Sequence, residues 1–205
     1  MTKVIGITGG IATGKSTVSN FLKENGYQVI DADEMVHELQ EPGQSLYNAI
    51  NENFGPAFFN DDKSINRKKL SDFVFSNPEN LAKLSDIQNR VINEELENRR
   101  NQAVAFDQKN NGGKGIVFMD IPLLFEGNFT YFDEVWLVYV PFEIQLKRLM
   151  TRNDLSDEQA RSRIESQMSI EEKKLLTDKI IDNSTSIENT KEQIKKLLKG
   201  SGDNF

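Results

Sequence analysis

Residues 9 to 16, Gly9-Gly10-Ile11-Ala12-Thr13-Gly14-Lys15-Ser16, match the pattern G-x-x-x-x-G-K-[ST] and stand between two apolar stretches of different period. Lys3 to Thr8 reads as a buried parallel strand, while Val18, Phe21 and Leu22 fall at i, i+3 and i+4 of a helix that Asn25-Gly26 ends. A strand that passes through glycines straight into a helix predicts the βα unit of an open parallel sheet.

Glycines let the backbone wind tightly enough to aim successive N–H groups at one point, and the helix N-terminus adds partial positive charge. The loop from Gly9 to Ser16 therefore reads as an anion cradle. Lys15 is placed to reach the outer phosphates of a nucleotide, and the Ser16 hydroxyl to join the oxygen shell of Mg²⁺, with Thr17 a second hydroxyl at the helix start.

At 205 residues the chain suits one α/β domain with an inserted subdomain, and it can bury a core without staples. It has no cysteine, which excludes disulfides, zinc–thiolate sites and thiol catalysis, and its lone His37 cannot build a metal cluster. A formal net charge of −7 argues against general affinity for nucleic acid or anionic membrane. With no signal-like start and no apolar run near the roughly 18 residues a span needs, a cytoplasmic protein is expected, with no membrane partner.

A second strand, Tyr27 to Ile30, leads into Asp31-Ala32-Asp33. Residues 34–111 turn mostly helical, with Asn77 as an N-cap, Pro78 at the first helical position, and Leu81, Leu84, Ile87, Val91 and Ile92 as a stripe. Strands then return at Ile116 to Met119, ending at Asp120, at Glu134 to Val140, and at Lys179 to Asp182, for five parallel strands. Ser156 with Gln159, and Ser169 with Glu172, have capping-box spacing. A last helix is expected to bury Ile187, Ile194 and Leu197, with 200–205 a frayed tail.

Phosphoryl transfer needs positioning, charge neutralisation and an acceptor for the nucleophile's proton. Asp31 and Asp33 follow the second strand at the sheet's carboxyl edge, on one side if the chain stays extended, so one of them is a candidate base; the alternative is an ordinary strand exit. Asp120 either positions a metal-bound water or caps the loop before Pro122. Gln145, Arg148 and Arg152 share one helix face, which suits a triphosphate or equally a solvated basic face.

Taken with Asp120-Ile121-Pro122-Leu123-Leu124-Phe125-Glu126, Gln145, Arg148, Arg152, Leu155-Ser156, Arg163-Ile164, Gln167, Asp178 and Asn183, the loop and Asp31-Ala32-Asp33 make the chain resemble the dephospho-CoA kinases nearly end to end. The resemblance implies a P-loop NTPase three-layer α/β fold with a five-stranded parallel sheet, an inserted helical substrate domain and a helical lid. The core would be residues 1–33 and 112–205, the lid 145–175, and the CoA-binding subdomain 34–111. It implies ATP and Mg²⁺ as cofactors, dephospho-CoA as the small-molecule partner, and a monomer or weak homo-oligomer.

By the same resemblance Asp33 is the base, Lys15 and the amides of Gly9, Gly10, Ile11, Ala12, Thr13 and Gly14 hold phosphates, and Arg148 and Arg152 close over ATP. Asn183 falls in the adenine-side loop, and Ser16, Asp120 and Asp31 serve the metal. Several positions depart from the family pattern. Ala12 stands where glycine is common, which requires a negative φ there; Asn89-Arg90 replaces a His-Pro pair; Thr177 replaces an alanine and Thr185 a glycine. A kinase of nucleoside monophosphates or shikimate would share the loop and lid. A GTP-dependent switch would carry N-K-x-D and D-x-x-G motifs, and neither occurs.

Overall fold

The computed structural model describes residues 1–127 and 129–202. By its contacts the chain divides into two compact units, Met1–Asp31 with Gln102–Phe205, and Ala32–Asn101.

In the first unit, β1 (Lys3–Gly9), β2 (Gln28–Asp31), β3 (Ile116–Asp120), β4 (Glu134–Tyr139) and β5 (Lys179–Asp182) form one sheet in the order β2-β3-β1-β4-β5. All four pairings are parallel. The five expected strands are all present. β1 and β3 are buried along almost their whole length, the pattern of parallel strands covered on both faces.

Helix α1 (Lys15–Glu24) buries Val18, Phe21 and Leu22, the stripe read from sequence. These residues join Ile5, Ile7, Phe118, Trp136 and Val138 in the main core, where the Phe118 and Trp136 rings lie 5.2 Å apart. The last helix, running from Ile187 to Gly200, closes the same core with Ile194 and Leu198. Ile187 is expected inside and is instead 55% exposed, where it lines a surface cavity with Asn183 and Thr185. Ser201 was expected in a frayed tail; it is buried and donates to Glu134 Oε2 at 2.8 Å. Residues 203–205 lie outside the described residues.

The second unit begins with α2 (Ala32–Leu39), followed by α3 (Ser45–Phe54), a 3-10 turn (Pro56–Phe58) and α4 (Arg67–Phe75). Phe58 and Phe73 pack at 5.0 Å, with Phe54 edge-on to both. Helix α5 (Pro78–Asn111) begins as the sequence indicates, Asn77 Oδ1 accepting from the Glu79 N–H at 2.8 Å. Leu84, Ile87 and Val91 are its buried stripe.

Between β4 and β5 come α6 (Phe142–Asn153), α7 (Asp157–Glu165) and α8 (Ile170–Lys174), and the closing helix is α9 (Ile187–Gly200). Both capping boxes exist in full, at Ser156 with Gln159 and at Ser169 with Glu172. A small core of Leu146, Leu149, Ala160 and Ile164 joins α6 to α7, with Ile11 and Ala12 of the glycine loop against it.

Candidate active site

The glycine loop leaves the carboxyl end of β1 and enters α1 at Gly14, whose φ of 87° lies in the left-handed region that favours glycine. A methyl on Gly14 would strike Asn183 Nδ2. Ala12 does not meet the condition the sequence sets for it: its φ is 61°, so an L-residue sits in the left-handed region.

Side chains hold the loop's carbonyls from outside. Lys173 Nζ donates to Gly9 O at 3.3 Å, Gln145 Nε2 to Ile11 O at 2.8 Å, and Asn183 Nδ2 to Thr13 O at 2.8 Å. With no cis peptide in the described chain, each carbonyl and the next N–H point in opposite directions. The Ala12 and Gly14 N–H groups are therefore turned away from the side chains that hold Ile11 O and Thr13 O. Ile11 N–H is different, donating to Gln167 Oε1 at 3.1 Å.

On the sheet's carboxyl edge, Asp31 and Asp120 are register partners on β2 and β3. Asp120 is buried, ion-paired with Lys15, and accepts from Ser19 Oγ at 2.5 Å. Burial pushes its carboxyl above the ordinary range; Lys15 and Ser19 pull it down, and the Asp31 charge adds to the rise. Ser19 escaped the sequence reading, although it lies one turn beyond Lys15 on the same helix face.

A cavity of about 930 Å³ opens beside the loop, lined among others by Gly14, Ser16, Thr17, Arg148, Arg152 and Asn183. That volume is within the range of small-molecule sites. Arg148 Nη2 donates to Asn183 O at 2.8 Å, so one arginine, the Asn183 loop and the glycine loop meet there. Arg152 lines the same cavity from the last turn of α6. Two departures from the family pattern find local partners: Thr185 Oγ1 accepts from Asn189 Nδ2 at 2.9 Å, and Thr177 Oγ1 donates to Val135 O at 2.6 Å.

Asp33 is placed differently from Asp31. β2 stops at Asp31 and α2 starts at Ala32, so the extended geometry that would align the two carboxylates does not form. Asp33 is exposed in the first turn of α2, in the second unit, where a carboxylate complements the helix dipole. His37, one turn further, is also exposed.

A family model described as dephospho-CoA kinase matches residues 3–189. The chain belongs to the dephospho-CoA kinase family. A dephospho-CoA kinase of Streptococcus mutans is 50% identical over 200 residues, covering 97% of this chain and 98% of that one. Among solved structures, the Campylobacter jejuni dephospho-CoA kinase covers 98% of both chains at 30% identity with a TM-score of 0.70. A Thermus thermophilus crystal structure covers 97% of both at 30% identity and 0.76. The protein is a kinase that uses ATP, built on the α/β P-loop fold, and its acceptor is dephospho-CoA. Among the described residues, no helix of this kinase is long and apolar enough to cross a membrane.

Proposed function

We propose that this kinase transfers the terminal phosphoryl group of ATP to the ribose 3′-hydroxyl of dephospho-CoA, with the ATP phosphates in the Gly9–Ser16 loop and the rest of the nucleotide in the adjoining cavity. The observation that carries the reading is the shared lining of that cavity: Gly14, Ser16 and Thr17 of the loop and α1, together with Arg148, Arg152 and Asn183. Cation and amide donors there suit the charge spread over the migrating group.

Lys15, ion-paired with Asp120 at the start of α1, is the cation placed to meet the outer phosphate oxygens of ATP. Asp33 accepts the 3′-hydroxyl proton, late in the reaction, because a loose transition state asks more for alignment of the nucleophile than for activation. Support comes from the family pattern and from its place two residues past Asp31. Residues 34–111 bind the acceptor, and residues 145–175 act as a lid whose closure excludes water.

Mg²⁺ fits the donors present. Asp31 and Asp120 are neighbouring carboxylates by strand register, and Ser16 offers an exposed hydroxyl in the first turn of α1. These are hard oxygen donors, the kind that hold Mg²⁺ through one or two carboxylates while water and substrate phosphate fill the rest of its shell. When bound, it neutralises charge on the phosphates. A cysteine-free chain fits a reducing compartment and a net charge of −7 disfavours nucleic-acid and anionic-membrane partners, so the reading is a cytoplasmic enzyme with a small-molecule partner, working as a monomer or weak homo-oligomer.

The decisive assay measures ADP release with ATP and Mg²⁺ against dephospho-CoA, nucleoside monophosphates, shikimate and no acceptor, with the product's phosphorylated position read by NMR. Turnover only with dephospho-CoA, at the 3′ position, is expected. Equal ADP release without acceptor would overturn the proposal.

A further inference from the structure

Lys173 on α8 has no solvent exposure, an uncommon state for lysine. Its ammonium meets three acceptors: Glu126 Oε1 at 2.9 Å, Gly9 O at 3.3 Å and Pro122 O at 3.4 Å. Three donors and three acceptors satisfy the group fully. The acceptors come from two separate segments. Gly9 ends β1 and opens the phosphate loop, whereas Pro122 and Glu126 lie on the stretch that follows Asp120. Around this point Thr8 Oγ1 also donates to Pro122 O at 3.1 Å, and the Met168 N–H to Glu126 Oε1 at 3.3 Å.

A buried ion pair is poor evidence of a stability role, since apolar side chains of similar size often fill the same space as well or better. What an ammonium does that methionine cannot is hold two backbone carbonyls at once. Gripping Gly9 O sets the plane of the first loop peptide. Gripping Pro122 O ties that peptide to the segment two residues beyond Asp120, the carboxylate paired with Lys15. α8 is short, five residues, but its capping box closes its first turn and Ile170 anchors its buried face. The anchor for Lys173 is thus itself defined.

We infer that Lys173 is a positioning residue for phosphoryl transfer: with Glu126 as its counter-charge, it sets the start of the phosphate loop in register with the segment carrying Asp120. The inference rests on the reading that the loop binds the phosphates of ATP. A merely structural lysine would affect melting alone; a positioning lysine governs nucleotide affinity and leaves acceptor affinity unchanged.

The test compares Lys173→Met, Lys173→Arg and Glu126→Gln with the parent, by ATP titration calorimetry and steady-state kinetics at a temperature where circular dichroism shows each folded. Lys173→Met is expected to weaken ATP binding at least about tenfold while KM for dephospho-CoA stays within about twofold, and Lys173→Arg to recover most of the loss. A folded Lys173→Met enzyme that binds ATP within about twofold of the parent overturns the inference. Should Lys173→Met not fold, Glu126→Gln decides: ATP binding weakened about fivefold or more is expected, and parent-like binding overturns it. A parent enzyme that binds no ATP in the same titration would instead defeat the reading of the loop.

Discussion

Asn183 holds Thr13 by its side-chain amide, Nδ2 donating to the Thr13 carbonyl at 2.8 Å, and is itself oriented by Thr190 Oγ1, which donates to Asn183 Oδ1 at 2.9 Å. Both side chains are buried, so neither bond is replaced by water at no cost. Removing the amide in Asn183→Ala leaves the Thr13 carbonyl only the long contact from Arg148 Nη1 at 3.5 Å and is expected to raise KM for ATP about tenfold, against about threefold for Thr190→Val. KM for dephospho-CoA should not move. Equal losses in both substrates would mean that Asn183 serves the fold rather than the nucleotide.

Asp33 is the proposed base. Asp33→Asn keeps the size of the side chain and removes the proton acceptor, so kcat should fall by about 10²- to 10⁴-fold, the usual contribution of a positioned base. Binding of ATP and dephospho-CoA, read by calorimetry, should be nearly unaffected. Full turnover in this variant would leave the 3′-hydroxyl proton to another group.

Ala12 carries the strain of a left-handed residue with φ 61°. That conformation costs an L-residue about 1–2 kcal/mol, while glycine loses about 0.5–1 kcal/mol more than alanine in chain entropy on folding. Ala12→Gly should therefore raise stability by up to about 1.5 kcal/mol, seen as a higher urea midpoint at unchanged slope. A lower midpoint would show that the methyl's packing in the α6–α7 core outweighs the strain.

Asp107 is buried and accepts from Thr2 Oγ1 at 2.7 Å, Asn111 Nδ2 at 2.9 Å and the Gly115 N–H at 3.1 Å. Burial alone would push its carboxyl up, but these donors outweigh it and hold it below the ordinary 3.8. A depressed folded value means that the unfolded chain binds the proton more readily. The contribution is complete above the unfolded value and is lost as pH falls through the folded one. Asp107→Asn should cost about 1–3 kcal/mol near neutral pH and flatten the decline of stability below about pH 4. Parallel urea-unfolding curves for variant and parent across that range would refute the assignment.

The parts of this molecule legible in its sequence are those set by neighbours in the chain. The βα unit around Gly9–Ser16, the five strands, the Asn77 cap with Pro78 and both Ser capping boxes are patterns within a few residues, and short-range sterics and hydrogen bonding suffice to impose them. Even locally there were limits: whether Asp31-Ala32-Asp33 stays extended or begins a helix depends on where strand pairing stops, and pairing with β3 ends at Asp31–Asp120.

Tertiary structure alone decided which polar groups meet. Lys15 finds Asp120 across 105 residues and Lys173 finds Gly9 across 164, and no local pattern encodes either meeting. In sequence Lys173 belongs to Glu171-Glu172-Lys173-Lys174, which reads as a solvated charge run; only Ile170, three residues earlier, hints that it faces inward. Ala12 likewise takes its positive φ from the path the loop must follow between β1 and α1, held from outside by Gln145 and Asn183. Local sequence sets which segments become strand, loop and helix. Burial, which raises the cost of every unpaired polar group, selects the long-range partners that turn the glycine loop into a site.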